Sequence, residues 1–301
     1  MAADARALPA FEFGQQALRR PGVLRRLGRV ARHNPAGVFG LIVLLGFMFL
    51  GIFGPYLPLE DPRALRAGPP LHGPTSDNWF GTNNLGQDIF SRVVNGARIS
   101  LEVSSAAVFL GSGIGAILGI LAGYYGRWID YLLQRSSEAF SAFPSLVLYF
   151  LLIAAFGQGV KTIILAIGIG ALFGGNRVLR SATMIERNKM YIEAARSTGC
   201  SEIRVLVRHV VPNVFPYVLV IMSGALGAAI LAESALAFLG LGVEPGTPSW
   251  GIDMSGSNLS YARLGHWYLV AFPGIAISLV VLGANLLGDA LRDILDPQLR
   301  N

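Results

Sequence analysis

Residues 190–212 read MYIEAARSTGCSEIRVLVRHVVP, a polar island between two long apolar runs. The part from Tyr191 to Thr198 is rich in Ala, the strongest helix former, and Gly199 stands where a left-handed cap would end a short helix. A second short helix is expected to follow. Ser201 is placed to cap it, and Glu202 lies in its first turn, where the helix dipole favours an anion. Ile203, Leu206, Val207 and Val210 recur at helical spacing as one apolar stripe, and Pro212 is expected to close the pattern. The segment thus predicts a helix-turn-helix. It carries small residues at Ala194 and Ala195 and charges at Glu193, Arg196, Arg204 and Arg208. On these features alone, an ordinary amphipathic helix pair at a membrane surface remains open.

The flanks decide the setting. With 53% hydrophobic residues, only 14% charged and a mean hydropathy of +0.54, the 301-residue chain is too apolar for an ordinary soluble domain and belongs in a bilayer. Its net charge of +6 could suggest nucleic acid, but the Arg residues stand beside apolar spans rather than in one basic domain, which fits membrane orientation instead. A single cysteine, Cys200, excludes an intrachain disulfide and a two-cysteine metal site.

Six apolar runs are expected to cross the membrane. Residues 1–34 form a polar segment with seven Arg, and the charge-free run 35–59 that follows is long enough for ~30 Å of hydrocarbon. It lacks the short apolar core and small-residue cleavage site of a signal peptide, so it is expected to stay as a first helix. A Pro-, Gly- and Asn-rich outer loop occupies 60–98. The second span, 101–122, sets Gly111, Gly115, Gly119 and Gly123 on one helix side, a surface for close helix packing. The third, 131–156, carries Glu138 and a kink at Pro144; the fourth, 162–175, is short and is expected to extend through Asn176 and Val178. After the polar loop at about 180–212 comes the fifth span, 214–239, with Pro216 and Glu233. An outer loop at 243–267 contains Trp250, and the sixth span, 268–287, contains Pro273 and Asn285. Glu233, an intramembrane carboxylate near the outer end, is a candidate for a structural or gating role and could reach interfacial water. On this threading, eighteen of the 24 Lys and Arg fall on the side of the 180–212 loop and of both termini, which places that side in the cytoplasm.

Enzyme chemistry has little support. The nearest approach to a phosphate loop, Gly157-Gln158-Gly159-Val160-Lys161-Thr162, lacks the Gly before Lys and faces outward. His33, His72, His209 and His266 lie in four separate loops, none with a second ligand at metal spacing, so no metal site and no catalytic residue is expected.

The order Glu193-Ala194-Ala195, three residues, Gly199, then Pro212 resembles the EAA loop of ABC importer permeases. His209 and Val211 stand where many of those families have Ile and Leu. The form with Arg208-His209 ahead of Pro212-Asn213 is similar to the second permease of the dipeptide, oligopeptide and nickel branch. The stretches around Trp79-Phe80-Gly81-Thr82, Gly96-Ala97-Arg98-Ile99-Ser100-Leu101, Phe143-Pro144, Glu233-Ser234-Ala235 and Pro248-Ser249-Trp250-Gly251 also look like that branch, as does the tail from Asp289 to Arg300. There Asp and Arg are common where this chain has Asn83 and Gln87, which puts an ion pair between those positions in question.

The resemblance implies an all-α type I permease of six transmembrane helices. In it Glu193, Ala194, Ala195, Arg196, Gly199, Arg208, His209 and Pro212 form the ATPase-coupling loop, and Glu233 and Trp250 are candidates for a gating or outer-mouth role. It implies a second homologous permease subunit, two cytoplasmic ATPases that carry the ATP and Mg, an extracytoplasmic binding protein, and the inner membrane of a bacterium or archaeon. No cofactor is expected on this chain and no nucleic-acid partner. Peptides are the favoured solute, with nickel chelates and glutathione open. A secondary transporter or channel would need polar midspan groups, and here those positions are apolar apart from Asn285 and a few Ser and Thr. A membrane scaffold would share the packing features without requiring the Glu193-to-Gly199 pattern.

Overall fold

The computed structural model describes residues 34–244 and 246–295. The seven Arg of the amino-terminal segment and the end of the tail, residues 296–301, lie outside the described residues.

Among the described residues the regular elements are helices. In chain order they are α1 (Pro35–Phe53), α2 (Ile89–Tyr125), α3 (Arg127–Ser141), α4 (Ser145–Phe156), α5 (Val160–Gly174), α6 (Asn176–Arg187), α7 (Met190–Ser197), α8 (Glu202–Val205), α9 (Val211–Phe238), α10 (Trp250–Asp253), α11 (Gly256–Arg263) and α12 (Tyr268–Leu295). A single π turn, Leu206–Val210, joins α8 to α9. Five helical runs are long and apolar enough to cross a membrane, and the pair α3–α4 makes a sixth if its two halves count as one span.

Several boundaries differ from the sequence expectation, each for a tertiary reason. α2 begins at Ile89 rather than near residue 101 and is 37 residues long, about 55 Å at 1.5 Å per residue. Asp88 caps it by accepting the Ser91 N–H at 2.7 Å, and the polar groups of its first turns find partners in neighbouring loops. The third span is not one kinked helix: α3 and α4 meet at 89° around Pro144. α4 alone reaches only about 18 Å, short of the hydrocarbon thickness. The fourth span continues with a minor break at Gly175 to Arg187, so the polar stretch after residue 180 starts as helix. α12 likewise runs on past residue 287 to Leu295.

Close backbone approach organises the bundle. A Cβ built on Gly111, Gly115, Gly119 or Gly123 would come within 2.1–2.7 Å of the carbonyl oxygens of Gly168, Leu172, Asn176 and Arg180 respectively. Each carbonyl is also four residues from the next, so one side of α2 lies directly on the continuous α5–α6 backbone. α1 is seated on α12 in the same way, with Gly37 against Ala290 and Gly40 against the Gly283 carbonyl. Three apolar clusters then stack along α2. One gathers Leu44, Val93, Trp250 and Leu269, a middle one Val103, Ile163 and Leu236, and the third Ile120, Leu179, Ile192, Val205 and Val210. The third cluster joins the short helices α7 and α8 to the long ones.

Candidate functional site

The hairpin α7–α8 is built by local rules. The Gly199 N–H donates to the Arg196 carbonyl (2.9 Å) and the Cys200 N–H to the Ala195 carbonyl (3.1 Å), and Gly199 takes φ +83°. These two bonds and the left-handed residue form a Schellman cap, which ends α7 at the expected glycine. The second half departs from expectation. Ser201 occupies the N-cap of α8, but its side chain makes no capping bond. Pro212 closes nothing: it sits in the first turn of α9, and the chain runs on through the π turn. Without an N–H, and with its ring crowding the carbonyl four residues back, Pro212 disfavours regular α-helix immediately before it. The expected stripe is also divided, because the buried face runs through Val205 beside Leu206 and Val210 rather than through Ile203. Leu206 and Val210 are buried, whereas Ile203 and Val207 are 69% and 60% exposed.

Polar contacts fix the hairpin to the ends of the long helices. Glu202 accepts from Arg196 Nε at 3.0 Å and from the Tyr124 hydroxyl of α2, and the Arg196 guanidinium lies 5.8 Å from the Tyr124 ring centroid. Arg187 Nη1 donates to the carbonyls of Gly123 (3.2 Å) and Tyr124 (2.6 Å), two of the orphan acceptors at the end of α2. Tyr191 donates to Glu186 and accepts from Asn213 Nδ2 (3.2 Å), which also reaches the His209 carbonyl (2.6 Å). Burial and the hydrogen bond to Glu186 push the Tyr191 hydroxyl up to about 12, so it remains a donor. Asp130 of α3 pairs with Arg180 of α6 nearby.

The sequence-selected residues therefore divide. Arg196 and His209 take part in this internal network, and Ala195 is half-buried. Glu193, Ala194, Gly199 and Arg208 are exposed. Among the described residues the side chains of Glu193, Arg204 and Arg208 have no ion-pair partner, and beside them Met190 is 85% exposed. Tyr124 and Arg187 carry no local signal, because their partners lie on other elements, and Asn213, quoted only as part of the Pro212-Asn213 ending, gains its role from Tyr191 and the His209 carbonyl.

At the opposite end the candidates are interior groups. Glu233 is fully buried and does not reach interfacial water: the hydroxyls of Ser100 (3.0 Å), Ser249 (3.1 Å) and Ser234 (3.4 Å) all donate to its carboxylate. These hydroxyls stand in for solvent because α2 and the residue preceding α10 close over α9 there. Trp250 is also fully buried, its indole N–H donating to the Val93 carbonyl at 2.9 Å and its ring packed edge-on against Phe47. Asn83 and Gln87 form a neutral pair, Nδ2 to Oε1 at 2.8 Å, in place of the questioned ion pair. The ion pair of this region is Arg92–Asp253, 2.6 Å apart and buried, with Arg92 Nη1 also donating to the Pro62 carbonyl (3.0 Å) and Gln87 Oε1 (3.2 Å).

Residues 115–301 match the family described as binding-protein-dependent transport system inner membrane component. The chain is 38% identical to the dipeptide transport system permease protein DppC of Alkalihalophilus pseudofirmus, over 90% of this chain and 88% of that one. It is 40% identical to the glutathione transport system permease protein GsiD of Escherichia coli (92% and 89%) and 36% identical to that of Pectobacterium atrosepticum (91% and 90%). On these matches and the apolar helices above, the chain belongs to the family of binding-protein-dependent inner-membrane components: it is a multi-pass permease subunit of an ABC importer, with ATP hydrolysis on separate subunits.

Proposed function

We propose that the exposed side of the α7–α8 hairpin receives a cytoplasmic ATPase subunit and that its inner side passes the ATPase movement to the transmembrane helices. The observation that carries this reading is the contrast between the two sides. Outward, Glu193, Arg204, Arg208, Met190, Ile203 and Val207 form a mixed charged and apolar surface without partners among the described residues. Inward, Ile192 and Val205 are fully buried, and Arg196–Glu202–Tyr124 ties the hairpin to α2. An element joined to α2, α6 and α9 through one packed cluster moves as a unit and transmits displacement to the bundle.

In this reading both termini and the 1–34 segment are cytoplasmic. ATP and Mg are bound by two ATPase subunits, this chain pairs with a second homologous permease, and an extracytoplasmic binding protein delivers the solute to the end carrying Glu233 and Trp250. Those two residues hold the outer closure through the contacts described above. The relatives named for dipeptide and glutathione transport support a small peptide as solute. The test is co-purification and ATP-driven dipeptide uptake with Glu193→Lys and Gly199→Asp. Charge reversal on the docking face, and loss of the left-handed cap, are each expected to lower ATPase association and uptake roughly tenfold while leaving insertion intact. Normal uptake in both variants would refute the assignment.

A further inference from the structure

A cleft of about 460 Å³, with charged side chains set among Pro55, Pro62, Ile99 and Pro248, opens between the start of α2 and the loop that follows α1. Two anions, Asp61 and Glu102, and two cations, Arg63 and Arg98, line it together with Thr247. All four charged side chains are exposed, and none lies within ion-pair distance of another charge among the described residues. Arg98 and Glu102 are one turn apart on α2, with Arg on the N-terminal side, the weaker order for an i,i+4 pair. Glu102 belongs to a helix that crosses the membrane, where an unpaired carboxylate demands water or a partner.

The cleft is built rather than incidental. Three donors near the start of α2 fasten the loop in succession: Ser91 to the Glu60 carbonyl, Arg92 to the Pro62 carbonyl and Gln87 to the Arg63 carbonyl. Arg92 is itself held by buried Asp253. The loop backbone is thereby fixed against α2, and Asp61 and Arg63 share a cleft with Arg98 and Glu102. Asp61 accepts the Arg63 N–H at 2.8 Å, while Arg63 Nη2 reaches Thr247 at 3.5 Å.

We infer that this cleft is an entry site for a zwitterionic solute, Arg98 and Arg63 meeting its carboxylate and Glu102 and Asp61 its ammonium group. A balanced set of unpaired charges matches a molecule carrying both signs, and a free anion or cation would meet equal attraction and repulsion there. The volume accommodates a short peptide with free termini. The inference rests on the function proposed above and adds a recognition step on the permease itself. An ethanolamine lipid headgroup has the same pair of charges, so the test separates the two sources.

The whole importer, with its partner permease, ATPases and binding protein, is reconstituted in vesicles, and uptake of labelled alanyl-alanine is measured for Arg98→Gln, Glu102→Gln and, from the loop side, Asp61→Asn. Each variant is expected to lower uptake roughly tenfold, the scale of one charge-assisted contact. The concentration of loaded binding protein that half-stimulates the ATPase should not change, and the loss should be the same with and without ethanolamine lipid. Uptake within twofold of the unmodified importer in all three variants overturns the proposal. So does a tenfold shift in the binding-protein requirement, which makes the cleft a docking face for that protein, or a loss seen only with ethanolamine lipid. If the unmodified importer takes up no peptide, the function reading itself fails. Uptake indifferent to the variants rejects the cleft alone.

Discussion

Gly115→Leu should destabilise the chain by about 3 kcal/mol, enough to lower the yield of folded protein in detergent extracts several-fold. A Cβ at this position would stand 2.2 Å from the Leu172 carbonyl oxygen and 3.0 Å from its carbon, atoms of a helix backbone that cannot rotate aside. Within lipid, close van der Waals packing is a main source of helix association, so parting α2 from α5–α6 forfeits contact along the whole stripe. Gly113, two residues away on the same helix, is the control: a Cβ there meets nothing within 4 Å. Gly113→Leu improves helix propensity without a clash and should change the midpoint of thermal unfolding little. Equal loss in both variants would show that glycine content, rather than this contact, matters to the fold.

Arg92→Leu should cost about 3–5 kcal/mol, the penalty for leaving a buried carboxylate without its partner. Asp253 is buried, and burial pushes its carboxyl up from the ordinary aspartate range while the Arg92 guanidinium pulls against that shift. Arg92 also satisfies the Pro62 carbonyl and Gln87, so Arg92→Lys, which lacks the planar fork, should recover only part of the loss. Adding Asp253→Leu to Arg92→Leu should recover most of it, since two apolar groups leave no buried charge. Denaturation of the unmodified chain, Arg92→Leu, Asp253→Leu and the double variant gives the coupling energy directly; additive losses would place the two residues in separate roles.

The two pairs of residues also show what a single sequence carries. The glycines of α2 were legible because helical spacing is local: residues 111, 115, 119 and 123 must share a side whatever they meet. The same holds for Gly199, whose place after an Ala-rich turn signals the cap that the structure contains. Five of the six membrane runs were legible from length and hydropathy; the 89° bend that divides the third at Pro144 was not. Most of what failed depended on partners far away in the chain. Residues 89–98 contain Ser91, Arg92, Asn95 and Arg98 and read as loop, yet they are helix because Arg92 finds Asp253, 161 residues on, and Ser91 finds the Glu60 carbonyl. Glu233 read as a carboxylate near water, and its three hydroxyl partners come from α2, from α9 and from the loop before α10. Pro212 read as a terminator because helix-breaking is its local tendency, and the π turn that carries the helix past it leaves no mark in composition.

The most direct measurement is site-specific cross-linking of the hairpin to the ATPase in the assembled importer. Cys200 is the sole cysteine, so a Cys200→Ser background gives a clean start. Cysteines are then placed at Ala194 and Ile203 on the exposed side of α7–α8 and at exposed Trp79 at the opposite end, and treated with a short thiol-to-lysine reagent. Docking on the hairpin requires adducts with the ATPase from positions 194 and 203, changed in yield by ATP, and none from 79. ATPase adducts from 79 with none from the hairpin would place the ATPase at the wrong end and contradict the proposed coupling.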